Sequence, residues 1–222
     1  MVIEEGAYSD FVEDYHHLEL AVVNTTNPEF DEFTIFEDPL IQKGKILKHP
    51  NLNFEIEIIR FFNNCEPVRR NSPPEIQYKG MMKNFYLNEL PTEKEHNWNR
   101  PGIMFKVKNS GTTADGIYGI FLQQTIPSTL SVNQQEYTII FRRQRTFLPF
   151  SIELIDFKKI IHPGTEIPKS FSSEINLIEN GVSKHLLIQM NEPLRHRGYT
   201  FFQASFIEGQ DGETTVLAAV KN

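Results

Sequence analysis

The sequence has very little of what several common kinds of functional site require. Its single cysteine, Cys65, excludes an intrachain disulfide and any thiolate-rich zinc or iron–sulfur centre. A single cysteine does not show whether the protein works in an oxidising or a reducing compartment. Cys65 is therefore either a small packing residue or a lone reactive thiol.

Long apolar runs are also missing. The apolar run at residues 216–220 has five residues, whereas a helix needs roughly 20 to cross a bilayer. The first ten residues are acidic and lack the apolar core of a signal peptide. We therefore expect no membrane span and no signal peptide here, as in a domain excised from a longer protein.

Excess positive charge is lacking as well, since the formal net charge is −7. A nucleic-acid-binding face is strongly basic, and so is a segment that binds an anionic membrane surface. The charge therefore argues against both kinds of partner. The basic clusters are Arg142, Arg143 and Arg145, and Arg195 and Arg197. They could contact an acidic partner or simply lie at strand ends.

Residues that favour strands and turns are abundant. The chain has 18 Phe, 13 Pro and 12 Gly, and its short alternating segments end in turn signals such as Asn180-Gly181. This pattern predicts an all-β, antiparallel fold with two β-sandwich-like units. We place the units at residues 1–125 and 126–222. The polar, proline-bearing segment 65–101 is predicted to be a long middle loop.

Two segments of the chain resemble each other. Residues 52–61 read L-N-F-E-I-E-I-I-R-F, and residues 148–157 read L-P-F-S-I-E-L-I-D-F. Each follows a similar short strand. Two related β units explain the match most simply, although a shared strand pattern alone could produce part of it.

Residues 191–206, N-E-P-L-R-H-R-G-Y-T-F-F-Q-A-S-F, combine turn residues with strict strand alternation. Both faces of the strand that starts at Tyr199 are mostly apolar, which predicts a central strand buried on both sides. Gln203 would then be buried. We expect its amide to hydrogen-bond to backbone groups of a neighbouring strand or of the loop 163–168. The alternative is that Gln203 is a recognition residue.

This stretch and P-G-T-E-I-P-K-S-F-S-S at 163–173 resemble the large soluble domain of the ResB-like family of cytochrome c biogenesis proteins. The resemblance is close from Phe147 to the end and loose before it. It implies a domain at the extracytoplasmic (periplasmic) face of the cytoplasmic membrane, within the system II machinery. The membrane spans of the family are absent from this chain.

The resemblance further implies a non-catalytic role. Such a domain would assist haem attachment by binding or orienting apocytochrome c and a haem-handling membrane protein. Haem would be handled by the full complex, with no cofactor bound by this domain. The seven histidines show no ligand spacing, so we predict no metal site. The residues expected to bind partners or haem propionates are Arg143, Arg145, Asn191, Arg195, Arg197 and Gln203.

Two other functions remain open from the sequence. Cys65 could reduce a disulfide of the apocytochrome if Arg69 and Arg70 lowered its pKa. Alternatively, the chain could be a free-standing carbohydrate- or adhesin-type β-sandwich, with Trp98 and exposed tyrosines as its binding platform.

Overall fold

The computed structural model describes residues 1–72, 74, 77–162, 164, 168–209 and 212–222. Strands dominate these residues, which confirms the all-β prediction. The strands are β1 (Val2–Glu4), β2 (Tyr8–Asn24), β3 (Glu32–Glu37), β4 (Ile46–Leu47), β5 (Glu55–Phe62), β6 (Cys65–Arg69), β7 (Phe85–Glu89), β8 (Gly102–Lys108), β9 (Gly116–Phe121), β10 (Ser128–Val132), β11 (Gln135–Ile161), β12 (Pro168–Glu179), β13 (Val182–Gln189), β14 (Leu194–His196), β15 (Tyr199–Glu208) and β16 (Glu213–Lys221). Short 3₁₀ helices occur at Asp38–Leu40, Gly80–Lys83 and His96–Trp98. Within the described ranges, no helix is long and apolar enough to cross a bilayer.

The chain forms two compact units. Unit 1 contains residues 1–13 and 145–222, and unit 2 contains residues 14–144. This division differs from the expected boundary at 125/126. The reason is pairing: β1 pairs with β16 and so belongs with the C-terminal strands, whereas β10 and the first part of β11 belong with unit 2.

Unit 1 is a two-layered β-sandwich. One layer has the strand order β1-β16-β15-β14, and the other contains the second part of β11 with β12 and β13. Buried positions alternate along β11, as expected when one face of a strand lies in a core. The core of this unit includes Leu148, Phe150, Ile152, Leu154, Ile175, Ile188, Phe201 and Leu217.

The first and last strands of unit 1 are antiparallel neighbours. Val2 lies opposite Val216, and the amino group of Met1 donates a hydrogen bond to the carbonyl oxygen of Leu217 at 2.9 Å. Met1 therefore lies opposite Leu217, in the middle of β16, and Asn222 follows the end of that strand.

Unit 2 also has a core shared by two sets of strands. One set is the sheet β4-β5-β8-β9, and the other comprises β3, β10 and the unit-2 residues of β2 and β11. The central residues of this core are Leu20, Val22, Phe36, Ile56, Ile58, Phe105, Ile120, Val132 and Tyr137.

The prediction of a long loop at 65–101 is wrong for much of that segment. It contains the antiparallel pair β6–β7 and two of the 3₁₀ helices. Cys65 and Leu87 from this pair are buried together with Phe62 of β5. This small apolar cluster orders the segment, although most of its sequence is polar or rich in proline.

The two similar segments carry a β-bulge at the same aligned position. The register shifts between Ile58 and Arg60 in β5 and between Leu154 and Asp156 in β11. The extra residues are therefore Ile59 and Ile155, which match each other in the sequence comparison. One copy lies in each unit. The shared bulge supports the interpretation of two related β units, since bulges are positioned features of a strand.

Candidate functional site

Gln203 is buried in unit 1, as expected, with 7% of its surface exposed. Its Oε1 accepts a hydrogen bond from Ser173 Oγ at 2.6 Å, and its Nε2 donates to Thr215 Oγ1 at 2.8 Å and to the Ser205 carbonyl at 3.2 Å. The expected partners were backbone groups of a neighbouring strand. The observed partners are two buried hydroxyls and a carbonyl of the same strand. The loop 163–168, the other expected partner, lies mostly outside the described residues.

The strand that carries Gln203 is central in its sheet, between β14 and β16. The expectation that both of its faces are buried is wrong, because Phe202 is 40% exposed and Ala204 is also exposed. A register shift between Gln203 and Ser205 marks a bulge there. The bulge ends the simple alternation, so Ser205 is exposed although strict alternation would place it on the same face as Gln203.

Three of the expected binding residues cluster around the turns that flank β14. Asn191 and Arg195 are exposed, and Arg197 occupies a two-residue turn with Gly198, at φ 48° and 77° respectively. The Arg197 guanidinium donates to Glu179 at 2.8 Å, and His196 lies 3.1 Å from the same carboxylate. Arg197 is thus engaged in an ion pair that stabilises the turn, whereas Arg195 projects from the strand.

The remaining two arginines are held by aromatic and polar neighbours within their own units. Arg145 pairs with Glu13 at 3.2 Å and lies 4.0 Å from the ring centroid of Phe11 in unit 1. In unit 2, Arg143 donates to the Tyr15 carbonyl at 2.5 Å and lies 4.4 Å from the Tyr15 ring. These contacts fix both guanidinium groups and so pre-organise them for a ligand.

Arg143 lines a cavity in unit 2 with a volume of about 700 Å³. Such a volume is typical of a small-molecule site. Its polar lining includes Tyr15, His16, His17, Asp38, Lys43, Asn63, His96 and Arg143. Its apolar lining includes Leu18, Ile41, Phe61 and Pro101. The cavity thus combines an apolar wall with two cationic side chains, Lys43 and Arg143, and one carboxyl group, Asp38.

Three histidines, His16, His17 and His96, line this cavity, which we call the histidine cavity. The rings of His16 and His96 lie 5.8 Å apart between centroids, at 82° to each other. The hydrogen bond of His17 with Asp14, 2.9 Å long, raises the pKa of His17, and the Asp14 charge adds to this effect. Among the described residues, no three histidine, cysteine or acidic side chains form a group able to hold a metal ion.

Sequence reasoning missed this cavity because its histidines come from distant segments. His16 and His17 lie on β2, whereas His96 begins a 3₁₀ helix in the segment 65–101. In neither segment are histidines spaced along the chain as metal or haem ligands usually are. The only signal was a polar segment placed between strongly patterned strands.

Cys65 is a buried residue, with 1% of its surface exposed. Burial raises the pKa of the Cys65 thiol to about 11, although the Arg100 charge opposes this rise. Arg70 is one of the two arginines that were expected to lower the pKa of Cys65. Its guanidinium instead lies 4.4 Å from the Tyr78 ring and donates to the Met82 carbonyl at 2.9 Å. A thiol with this pKa is protonated at neutral pH, so the geometry does not favour redox chemistry.

Trp98, the proposed platform of a carbohydrate-binding module, is 72% exposed. It lies on the 3₁₀ helix His96–Trp98 and lines a small cavity together with Cys65 and Arg100. Its exposure is compatible with a platform, and the carbohydrate alternative stays a prediction.

Comparison with known proteins gives the family. The model of the ResB-like family matches residues 110–221, about half of the chain. Protein NrfI of Wolinella succinogenes is 30% identical over 91 residues, which cover 40% of this chain and 10% of that protein. The chain thus spans about a tenth of the length of this relative. These matches agree with the cytochrome c biogenesis role that the motifs implied. The chain belongs to the ResB-like family.

Proposed function

We propose that this chain is an extracytoplasmic, non-catalytic domain of a cytochrome c biogenesis protein. It assists haem attachment by binding or orienting apocytochrome c and a haem-handling membrane partner, and it has no resident cofactor. The observation that carries this proposal is the family match over residues 110–221. The geometry of Cys65 supports a binding role over a reductase role, because its thiol is buried and protonated.

The test uses the full-length protein that contains this domain, in cells that depend on it for cytochrome c maturation. We expect Arg195→Glu to lower both the co-purification of apocytochrome and the yield of mature cytochrome, because it reverses an exposed charge beside the family motif. Lys184→Glu, which reverses an exposed charge on β13, is the matched control. Normal maturation after deletion of the whole domain would refute the proposal.

A second candidate function is to hold haem transiently as a cargo. The histidine cavity favours it, because two imidazoles lie 5.8 Å apart beside an apolar wall and a fixed arginine, Arg143. Imidazole ligates haem iron, and arginine pairs with carboxylates such as the propionates.

Titration of the 222-residue protein with hemin tests this second candidate. We expect a shifted Soret band that His16→Ala and His96→Ala remove and that Arg143→Gln weakens. His185→Ala, at a histidine in unit 1 that is 61% exposed at its side chain, is the control. A Soret band that survives in both cavity variants would contradict haem binding at this cavity.

A further inference from the structure

An apolar groove in unit 2 lies between the segment that contains β6 and β7 and the turn before β10. Its volume is about 460 Å³. Its apolar lining includes Pro67, Met81 and Phe85 from the β6–β7 segment, and Ile126 and Pro127 from the turn before β10. None of the described residues that line it is charged, although the chain carries a net charge of −7. We call it the β10 groove.

A free strand edge runs beside the β10 groove. Among the described strands, β10 pairs only with β11. The two-residue turn Asn133-Gln134, with φ 51° and 66°, makes Val132 and Gln135 a hydrogen-bonded pair. The main-chain groups of Thr129 and Ser131 therefore point away from β11. Such an edge accepts another extended chain, whose alternate side chains can enter a pocket beside it.

Two buried polar atoms at this groove have no hydrogen-bond partner in the part of the chain that the structure describes. Ser128 is 4% exposed, and its hydroxyl oxygen has no hydrogen-bond partner among the described residues. The same holds for Oε1 of Gln124 on the preceding turn. Buried polar atoms are nearly always hydrogen-bonded, so these two oxygens mark the groove as a place where polar bonding among the described residues is incomplete.

The charge beside the groove is positive. Arg69 lies directly opposite Phe85 in the β6–β7 pair, and Lys83 ends the 3₁₀ helix that carries Met81. Both cations are exposed, and neither forms an ion pair with a described residue. They complement an acidic group on the occupant. A second copy of this chain, with a net charge of −7, would be repelled overall.

We propose that the β10 groove binds an extended segment of a partner polypeptide, with apolar side chains at alternate positions and an acidic residue beside them. The segment adds to the free edge of β10, places its apolar side chains between Phe85 and Ile126, and directs its acidic residue towards Lys83. Naming apocytochrome c as that polypeptide rests on the proposed function above, whereas the binding chemistry rests on the groove alone.

The probe is a fluorescein-labelled nine-residue synthetic peptide in which valine alternates with threonine after an initial glutamate. Its binding to the 222-residue protein is followed by fluorescence anisotropy. We expect Ile126→Asp to raise Kd by at least about tenfold, since it places a charge against apolar side chains. Ile126 is 78% exposed, so the fold should tolerate the change. Val182→Asp, at a valine that is 69% exposed in unit 1, should leave Kd unchanged.

A charge exchange tests the acidic position separately. Lys83→Glu should weaken binding of the glutamate peptide and strengthen binding of a peptide that begins with lysine. Failure of the wild-type protein to bind the glutamate peptide would overturn the proposal. Equal binding by wild type and Ile126→Asp would also overturn it, as would a dimer in sedimentation analysis that Ile126→Asp dissociates.

Cytochrome maturation by the full-length Ile126→Asp variant separates this inference from the proposed function. Loss of both peptide binding and maturation supports apocytochrome as the occupant. Loss of peptide binding with normal maturation refutes apocytochrome as the occupant, while the groove itself stands. Normal maturation after deletion of the domain, described above, remains the separate test of the proposed function.

Discussion

Replacing Gln203 by leucine tests how the core of unit 1 depends on one polar network. Leucine has a similar volume but can neither donate nor accept a hydrogen bond. The change removes the three hydrogen bonds to Ser173, Thr215 and the Ser205 carbonyl. Ser173 and Thr215 are both 0% exposed, so water cannot replace the lost partner.

The expected loss in the free energy of unfolding depends on how many buried groups lose a hydrogen-bond partner. The hydroxyls of Ser173 and Thr215 lie 2.9 Å apart and can still bond to each other, which leaves one of them short of a partner. The Ser205 carbonyl is on an exposed residue and can accept a hydrogen bond from water instead. An unsatisfied buried polar group costs about 1–3 kcal/mol, so we expect the free energy of unfolding to fall by about 2 kcal/mol.

Urea and thermal unfolding measure this change. If the whole chain unfolds cooperatively, a loss of about 2 kcal/mol lowers Tm by about 4–8 °C. Gln42→Leu, at an exposed glutamine in unit 2, is the matched control and should change stability by less than about 0.5 kcal/mol. The triple variant Gln203→Leu, Ser173→Ala, Thr215→Val should recover much of the loss, because it removes the stranded hydroxyls as well.

Unchanged stability of Gln203→Leu would refute this reasoning. If such a variant of the full-length protein also lost cytochrome maturation, Gln203 would be a recognition residue. The exposed face of the strand Tyr199–Glu208 would then be the surface to search for a partner.

Cys65 should react slowly with thiol reagents in the native protein at neutral pH, as measured by mass spectrometry, and rapid labelling without unfolding would favour the reductase alternative. Its folded-state pKa of about 11 exceeds the ordinary value of 9.0. Its contribution to stability is therefore complete below pH 9 and lost as pH rises towards 11, and Cys65→Ala should remove this part of the alkaline loss in urea titrations. Arg142→Met should lower the free energy of unfolding by about 3 kcal/mol, because it removes the 2.8 Å ion pair of Glu19, whose side chain is 5% exposed. Lys158→Met, at a cation that is 57% exposed, should cost less than about 1 kcal/mol, and an equal effect of the two changes would contradict the argument.

Strand patterns in the sequence predicted the fold class well, because alternation depends only on local spacing. The alternating residues of 148–154 all lie in the core of unit 1, as the pattern requires. The unit boundary was misplaced because it depends on pairing between distant strands. Nothing in residues 2–4 reveals that their partners are residues 214–216.

The candidate sites, too, were predictable from the sequence only in their local features. The burial of Gln203 followed from its position within a patterned strand, whereas the identity of its partners did not. Ser173 and Thr215 are 42 residues apart and face Gln203 only after three strands have assembled. The histidine cavity and the β10 groove are likewise built from residues that are far apart in the chain, so no motif marks them.

The pairing of the first strand with the last has a consequence for how the chain folds during synthesis. Unit 2 is one continuous segment, residues 14–144, and can fold as soon as that segment has emerged. Unit 1 must wait, because Met1 bonds to Leu217, 216 positions later. The pairing of β1 with β16 can therefore form only after nearly the whole chain has been made. Until then, β1 lacks its partner strand β16, and the sheet β1-β16-β15-β14 of unit 1 is incomplete.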